Sequence, residues 1–252
     1  MAGIEAAGFY IPRHLIKAEA LGTKVGGVAA ETIEERSVPA FDEDEVTIAV
    51  EAGGRALAAA RNPRVDVLAY ATSGPAGAGA LVAEALGVDP AKARDVFGSP
   101  DAGETALAGA IDGASRDGTS TLVIATEGPR VGPRSPEDEP SGAAAVALLV
   151  TPAGKVGWRR GSAPSRSVLA RWIGDAGAAS VLLSFLTSLD PSDVKGDIDI
   201  GRALKARTAV TYEQYAAVRR HGPPPPGTEY SQGAYVSQTT YLAEKKARYR
   251  LA

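Results

Sequence analysis

Hydrophobic and polar positions along the chain follow two patterns. Short apolar runs with few charges are typical of strands that are buried on both faces of a sheet, and they cover 3–11, 65–72, 120–127 and 142–151. Apolar residues at helical spacing predict helices over 42–60, 77–87, 101–117, 174–189 and 211–220. Because strands alternate with helices, the chain is expected to be α/β, with a mainly parallel or mixed sheet covered by helices.

Residues at the predicted ends support these elements. Pro12 ends the first strand, since proline has no backbone donor for a ladder. The acidic run Asp42–Glu45 suits the start of a helix. Gly87 is a predicted C-cap, and Thr211 is a predicted N-cap.

Composition narrows the classes of function. The net charge of −3 argues against nucleic-acid binding, which needs clustered Lys and Arg. No apolar run reaches the roughly 18–20 residues that span a bilayer, and no signal peptide is recognisable, so we expect a cytoplasmic protein. The sequence has no cysteine, which excludes a thiolate nucleophile, and with two histidines we expect no metal site.

Several short segments keep a characteristic order and spacing. They are Gly8–Arg13, Glu35–Pro39, Asp42–Asp44, Thr47–Ala52, Val82–Gly87 and Gly174–Ser180. Together they resemble the archaeal and bacterial 3-hydroxy-3-methylglutaryl-coenzyme A synthases of the thiolase superfamily. The resemblance implies a thiolase-like layered α/β fold with two similar halves, usually dimeric, that binds acyl-coenzyme A.

The domain organisation that we predict departs from the family in its second half. We assign 1–151 to a complete N-terminal half and 152–220 to a shortened C-terminal half. The shortening is inferred because the segment between the strand at 142–151 and the helix at 174 is much shorter than in the family. We assign 221–252 to a Pro-rich linker and an extended docking arm.

The resemblance also implies three catalytic groups: a cysteine that takes the acyl group, a glutamate general acid or base, and a histidine that helps to hold the second thioester. Ser99 occupies the expected position of the cysteine. The stretch 72–77, where the glutamate is expected, holds no acid, and Asp175 stands where the family has asparagine. The segment with the histidine is missing. We therefore predict no catalytic residue.

The polar residues near Ser99 have structural interpretations that we prefer. A serine nucleophile needs a base, and neither His14 nor His221 is a natural partner, so Ser99 is expected to be an N-cap or turn serine. Asp101 and Glu104 fall in the first turn of a helix, where the helix dipole favours acids.

Two other segments also invite a functional interpretation. Gly77–Ala80 lacks the spacing and the lysine of a nucleotide loop and indicates close helix packing instead. Arg130 and Arg134 lie in the loop 128–141 beside acids, and we prefer weak surface ion pairs. The alternative is that Arg130 and Arg134 contact a coenzyme A phosphate or an acidic partner.

The C-terminal segment combines a stiff spacer with an aromatic and basic arm. The run Pro223–Pro226 favours polyproline II. Tyrosine and arginine are enriched at interface hot spots, and we predict partner contacts at Tyr230, Tyr235, Tyr241, Arg248 and Tyr249. The stretch 227–236 is similar to one that leads into an OB-fold, zinc-ribbon module in relatives. The alternative is a strand and helix packed on the chain's own domain.

These features favour a non-catalytic synthase-like subunit of a multi-component acyl-coenzyme A acyltransferase or thiolase complex. Its partners would be a thiolase-family subunit and an OB-fold zinc-ribbon subunit. The alternative is an acyl-coenzyme A transferase or condensing enzyme with non-cysteine chemistry; a third is a free acyl-coenzyme A binding protein. We expect no resident cofactor, although the resemblance leaves room for a coenzyme A thioester as ligand.

Overall fold

The computed structural model describes residues 2–21, 33–40, 43–74, 76–128, 141–159, 161 and 167–215. Its strands are β1 (Gly3–Tyr10), β2 (His14–Lys17), β3 (Glu35–Val38), β4 (Val67–Thr72), β5 (Ala93–Phe97), β6 (Thr121–Glu127), β7 (Ala144–Thr151) and β8 (Thr208–Ala209). Its helices are α1 (Glu45–Ala59), α2 (Gly79–Ala85), α3 (Ala102–Asp117), α4 (Ser167–Ile173), α5 (Gly177–Leu186) and α6 (Ile200–Lys205). Two short 3-10 helices cover Ala18–Leu21 and Pro90–Lys92.

The main sheet has five strands in the order β1-β7-β6-β4-β5. The strand β4 runs parallel to both β5 and β6, whereas β7 runs antiparallel to both β1 and β6. The predicted mixed α/β sheet is therefore confirmed. Because β4, β5 and β6 are parallel, their carboxyl ends meet at one edge of the sheet.

Helices cover both faces of this sheet, since every residue of β6 and β7 is buried. Along β6, Leu122 and Ile124 belong to the core formed with α1 and α2, whereas Val123 and Ala125 belong to the core formed with α3 and α5. The alternation follows from the period of two along a strand. The described chain therefore has a helix–sheet–helix layering that packs α5, from the second half, against the sheet of the first.

The start of α1 illustrates how the sequence fixes an element. The Asp44 carboxylate accepts from the Thr47 amide at 2.7 Å, and the Thr47 hydroxyl accepts from the Asp44 amide at 2.7 Å. This reciprocal capping box satisfies two amide groups at the start of the helix. The helix therefore begins at Glu45, later than the predicted 42, because Asp44 is its cap.

A second, three-stranded sheet has the order β3-β2-β8 and was not predicted. The buried guanidinium of Arg207 fastens it to the rest of the chain. Arg207 donates to Glu35 at 2.7 Å, to the Ser37 hydroxyl at 3.0 Å and to the Trp172 carbonyl at 2.7 Å. Burial lowers the pKa of Arg207, while Glu35 opposes that shift. These contacts join β3, α4 and the segment that follows α6.

The C-terminal half differs in detail from the sequence prediction. The predicted helix over 174–189 begins later, at Gly177, and α4 and α6 were missed. Thr211 is a cap as predicted, since its hydroxyl accepts from the Gln214 amide at 3.2 Å. The helix that follows is described only as far as Tyr215, so the linker and docking arm lie outside the described residues. Within the described part, no helix has the length and apolar character to cross a membrane.

We expect Gly8→Ala to destabilise the fold by about 1–3 kcal/mol, the range typical of overpacking. A Cβ at position 8 would lie 2.5 Å from the Ala52 carbonyl oxygen and 2.6 Å from the Ala56 amide nitrogen, both backbone atoms of α1. The matched control is Gly109→Ala within α3, where nothing lies within 4 Å; it should stabilise by roughly 0.5–1 kcal/mol. Urea unfolding measures both, and equal effects would contradict the close approach of α1 and β1.

We expect Asp66→Asn to lower stability at neutral pH but not in acid. The Ser120 backbone N–H, and after it Arg64, hold the pKa of Asp66 below its ordinary value of 3.8, against an opposing effect of burial. A lowered pKa stabilises the fold above pH 3.8, and that contribution is lost as the pH falls through the lowered value. Thermal unfolding from neutral pH to below 3.8 should show the two proteins converging; a constant difference would contradict this assignment.

Candidate functional site

The edge where the parallel strands end carries a cluster of polar groups, which we call the strand-end cluster: Ser73, Ser99, Glu127, Asp175 and Ser180. Ser73 directly follows β4, and Glu127 is the last residue of β6. The helices α3 and α5 begin at the same edge. A Cβ at Gly103 would lie 2.2 Å from the Ala178 carbonyl oxygen, so the first turns of the two helices are in close contact.

The carboxylate of Glu127 is the centre of this cluster. Glu127 is only 4% exposed. Its Oε2 accepts from the Ser73 hydroxyl at 2.6 Å, from the Ser73 amide at 3.3 Å and from the Ala178 amide at 3.2 Å. Hydrogen bonds of this kind compensate the cost of burying a charge. Glu127 thereby joins the end of β4 to the first turn of α5.

Asp175 and Ser180 order the chain at the start of α5. Asp175 Oδ1 accepts from the Gly177 amide at 2.9 Å and from the Ser180 hydroxyl at 3.3 Å. The Ser180 hydroxyl in turn accepts from the Ala176 amide at 3.0 Å. Asp175, which stands at the asparagine position implied by the resemblance, therefore supports the turn that delivers Ala178 to Glu127.

Within the cluster, Ser99 lies in a turn, as the preferred structural interpretation predicted. Its hydroxyl accepts from the Asp101 amide at 3.1 Å. The preceding Gly98 donates its amide to the Gly74 carbonyl at 3.0 Å, which holds this turn against the end of β4. Asp101 is the N-cap of α3 and Glu104 lies in its first turn, the positions expected for acids that interact with a helix dipole.

A second carboxylate lies on the opposite face of β4. Glu45 accepts from the Tyr70 hydroxyl at 3.1 Å and from the Thr72 hydroxyl. Burial, and then the charge of Glu45, raise the pKa of Tyr70, so its phenol remains a hydrogen-bond donor. Successive residues at the end of β4 thus serve two carboxylates, Thr72 on the α1 side and Ser73 on the α5 side.

The structure separates several residues that the sequence singled out. His14 lies in β2 of the small sheet, paired with Val38 and Thr208. His221, Arg130 and Arg134 lie outside the described residues, as do the predicted partner contacts Tyr230, Tyr235, Tyr241, Arg248 and Tyr249.

Sequence reasoning missed Glu127, although a signal was present. An acid directly follows the apolar run of β6, and polar groups at the carboxyl ends of parallel strands gather at one edge. The run 77–80 was interpreted correctly in part: a Cβ at Gly79 would lie 2.1 Å from Asp95 Oδ1, so this glycine permits close packing. Gly77 has no neighbour within 4 Å but has a φ of 124°, a conformation that favours glycine.

The strand-end cluster provides acid–base and hydrogen-bonding groups, without a thiol. The Glu127 carboxylate accepts a hydrogen bond from the half-buried Ser73 hydroxyl at 2.6 Å. The sequence contains no cysteine. Among the residues that the structure describes, no group of three or more His, Cys, Asp or Glu side chains is placed to hold a metal ion.

We expect Ser73→Ala to destabilise the protein by about 1.5–3 kcal/mol, the range for a hydrogen bond to a charged group. The substitution removes the shortest of the described bonds to the buried carboxylate. Ser99→Ala is the matched control, because it removes a bond within a turn to a neutral amide; about 0.5–1.5 kcal/mol is expected. Guanidinium unfolding would measure both, and a larger loss for Ser99→Ala would contradict the central position of Glu127.

Parts of the chain are similar in sequence to known proteins. No protein-family model matches the chain. The hydroxymethylglutaryl-CoA synthase of Thermococcus onnurineus is 39% identical over 97 residues, which is 35% of this chain and 27% of that protein. The same enzyme of Thermococcus kodakarensis is 38% identical over 119 residues, 43% of this chain and 33% of that protein. The matched segments thus span a third or less of these relatives.

Solved structures extend the likeness of the fold. PksG, an HMG-CoA synthase from Bacillus subtilis, superposes with a TM-score of 0.66 at 15% identity, covering 87% of this chain and 88% of that chain. MvaS in complex with 3-hydroxy-3-methylglutaryl coenzyme A gives a TM-score of 0.68 at 15% identity, with 90% and 94% covered. The predicted resemblance is confirmed: part of the chain is similar in sequence to hydroxymethylglutaryl-CoA synthases, and its fold is that of the solved synthases.

Proposed function

We propose that the chain acts as a non-catalytic synthase-like subunit of a multi-component acyl-coenzyme A acyltransferase or thiolase complex. One observation carries the proposal: none of the 252 residues is a cysteine. A thiolate is the nucleophile that the resemblance implies, because it is strongly nucleophilic near neutral pH. A chain that keeps this fold but has no thiolate is suited to a role in assembling a complex.

The expected position of that nucleophile supports the same proposal. The Ser99 hydroxyl bonds within its own turn, and the only described histidine, His14, lies in the small sheet. A serine without a histidine base is a poor nucleophile. The groups that remain at the edge are engaged in hydrogen bonds with one another.

A surface suited to a partner lies at the end of the main sheet. Among the described residues, β5 pairs only with β4, so its other edge presents backbone donors and acceptors. Phe97, at the end of β5, is 55% exposed. An open edge next to a large exposed apolar side chain favours pairing with another chain. We assign this edge to the thiolase-family partner.

We assign the segment after the proline run to the second partner, an OB-fold zinc-ribbon subunit. The basis is the residue types that follow the proline run, because tyrosine and arginine are enriched at interface hot spots: Tyr230, Tyr235, Tyr241, Arg248 and Tyr249. The OB-fold partner would supply or receive the coenzyme A thioester. The partners, and not this chain, would then determine which acyl group is transferred.

The native mass of the assembly tests this proposal. The chain is co-expressed with thiolase-family and OB-fold zinc-ribbon proteins of the same organism. We expect a complex whose thiolase subunit is lost on Phe97→Asp, because a charge at the open edge opposes burial. The OB-fold subunit should be lost when 223–252 is removed.

Val168→Asp is the matched control for Phe97→Asp, because Val168 is 47% exposed on α4, away from β5. It should leave the complex intact. A monomer or homodimer that ignores both proteins would overturn the proposal.

One observation favours a second candidate, an acyl-coenzyme A transferase or condensing enzyme with non-cysteine chemistry. The Ser73 hydroxyl is hydrogen-bonded to a buried carboxylate at the strand edge. Acyl transfer from acetyl-coenzyme A by the purified chain alone, abolished by Ser73→Ala and retained by Ser99→Ala, would establish that candidate instead.

A further inference from the structure

The environment of Glu127 is built for a carboxylate and draws on three separate parts of the chain. The side chain comes from the end of β6, two donors come from Ser73 behind β4, and the third is the Ala178 amide in the first turn of α5. Two of these three donors are backbone N–H groups. Backbone donors that are removed from water need an acceptor, and Glu127 Oε2 is the acceptor for both of these.

The space around the carboxylate is equally specific. Gly177 has a φ of 43°, and a Cβ there would lie 1.9 Å from Glu127 Oε2 and 2.5 Å from its Cδ. Every other residue type would fill the volume that the carboxylate now occupies. The chain therefore provides a glycine-lined space whose size and donors both match a carboxylate group.

We propose that the Glu127 side chain is an intramolecular ligand that fills a carboxylate-binding site and keeps it closed. The site consists of the Ser73 hydroxyl and amide, the Ala178 amide and the space over Gly177. Its external ligands would be small planar carboxylates, such as formate and acetate. Without the Glu127 side chain, the site opens at the edge of the sheet where the Ser99 turn also lies.

This inference goes beyond the proposed function and does not depend on it. In the closed site, the chain satisfies these donors with its own carboxylate. It concerns the isolated chain, so it can fail while the complex still assembles, and the complex can fail while the site is found.

Glu127→Ala tests the inference, because it removes the carboxylate and leaves the three donors in place. Formate should raise the thermal unfolding temperature of this variant in a saturable manner, since a ligand that binds only the folded state stabilises it. We expect formate to bind the variant at least about tenfold more tightly than it binds the wild type, as measured by calorimetry. Sodium chloride at equal ionic strength should have no such effect.

Two controls separate a specific site from general anion effects. Glu127→Gln keeps the space filled and should show no response to formate. Benzoate, which is too large for the volume of one carboxylate and its short stem, should not replace formate in Glu127→Ala. A response that is equal for formate, benzoate and chloride, or equal in the Gln variant, would overturn the inference.

A second variant tests the donors directly. Adding Ser73→Ala to Glu127→Ala removes the hydroxyl that makes the shortest of the described bonds, and should weaken formate binding about tenfold. Unchanged binding would place the ligand elsewhere and contradict the proposal.

If Glu127→Ala does not fold in buffer, refolding in formate and in chloride replaces the melting experiment. Folding only in formate supports the inference. Failure in both, while Glu127→Gln folds, would show that the tethered side chain itself is required and would overturn it.

Discussion

The structure depends on a sheet that is buried on both faces. Helices must therefore pack closely against each face. All residues of β6 and β7 are buried, so each face must be covered by helices along its full length. Small residues permit this approach: Gly8 faces the backbone of α1, and Gly103 faces the Ala178 carbonyl. Larger side chains would clash with backbone atoms, which cannot move without moving a whole helix.

That packing also creates the strand-end cluster. When α3 and α5 lie side by side on one face, their first turns meet at the edge where β4 and β6 end. Polar side chains there lose contact with water and must bond to one another. Glu127, Ser73 and the Ala178 amide satisfy this requirement together. On the other face, Glu45 meets the same need for Tyr70.

The fold of the hydroxymethylglutaryl-CoA synthases matches more of this chain than their sequences do. The sequence likeness covers 35–43% of this chain in the two relatives from Thermococcus, whereas the fold superposes over 87–90% of it. Backbone packing depends on volume and on glycine positions, and many sequences meet those conditions. The sequence contains no cysteine, so this fold is built here without a thiol.

The short elements show where sequence reasoning fails. In β3 (Glu35–Val38) three of four residues are polar, so no apolar run marks a strand. Its Arg36 is nevertheless buried, with the guanidinium 5.4 Å from the Tyr215 ring. Arg207 reaches the same strand from 172 positions away in sequence, by its bond to Glu35. Partners that are distant in sequence offset the cost of burying these polar groups. The local sequence pattern therefore does not predict their burial.

By itself, the sequence determined the α/β class, the main strands β1, β4, β6 and β7, and the longer helices. Strands that are buried on both faces appear as continuous apolar runs, and helices appear as apolar residues at helical spacing. It also determined that no thiolate is present. Only the tertiary structure decided the order of the strands, the small sheet and the position of Glu127 among its donors. Those features join residues such as Ser73, Glu127 and Ala178, which are far apart along the chain and meet only when the helices pack on the sheet.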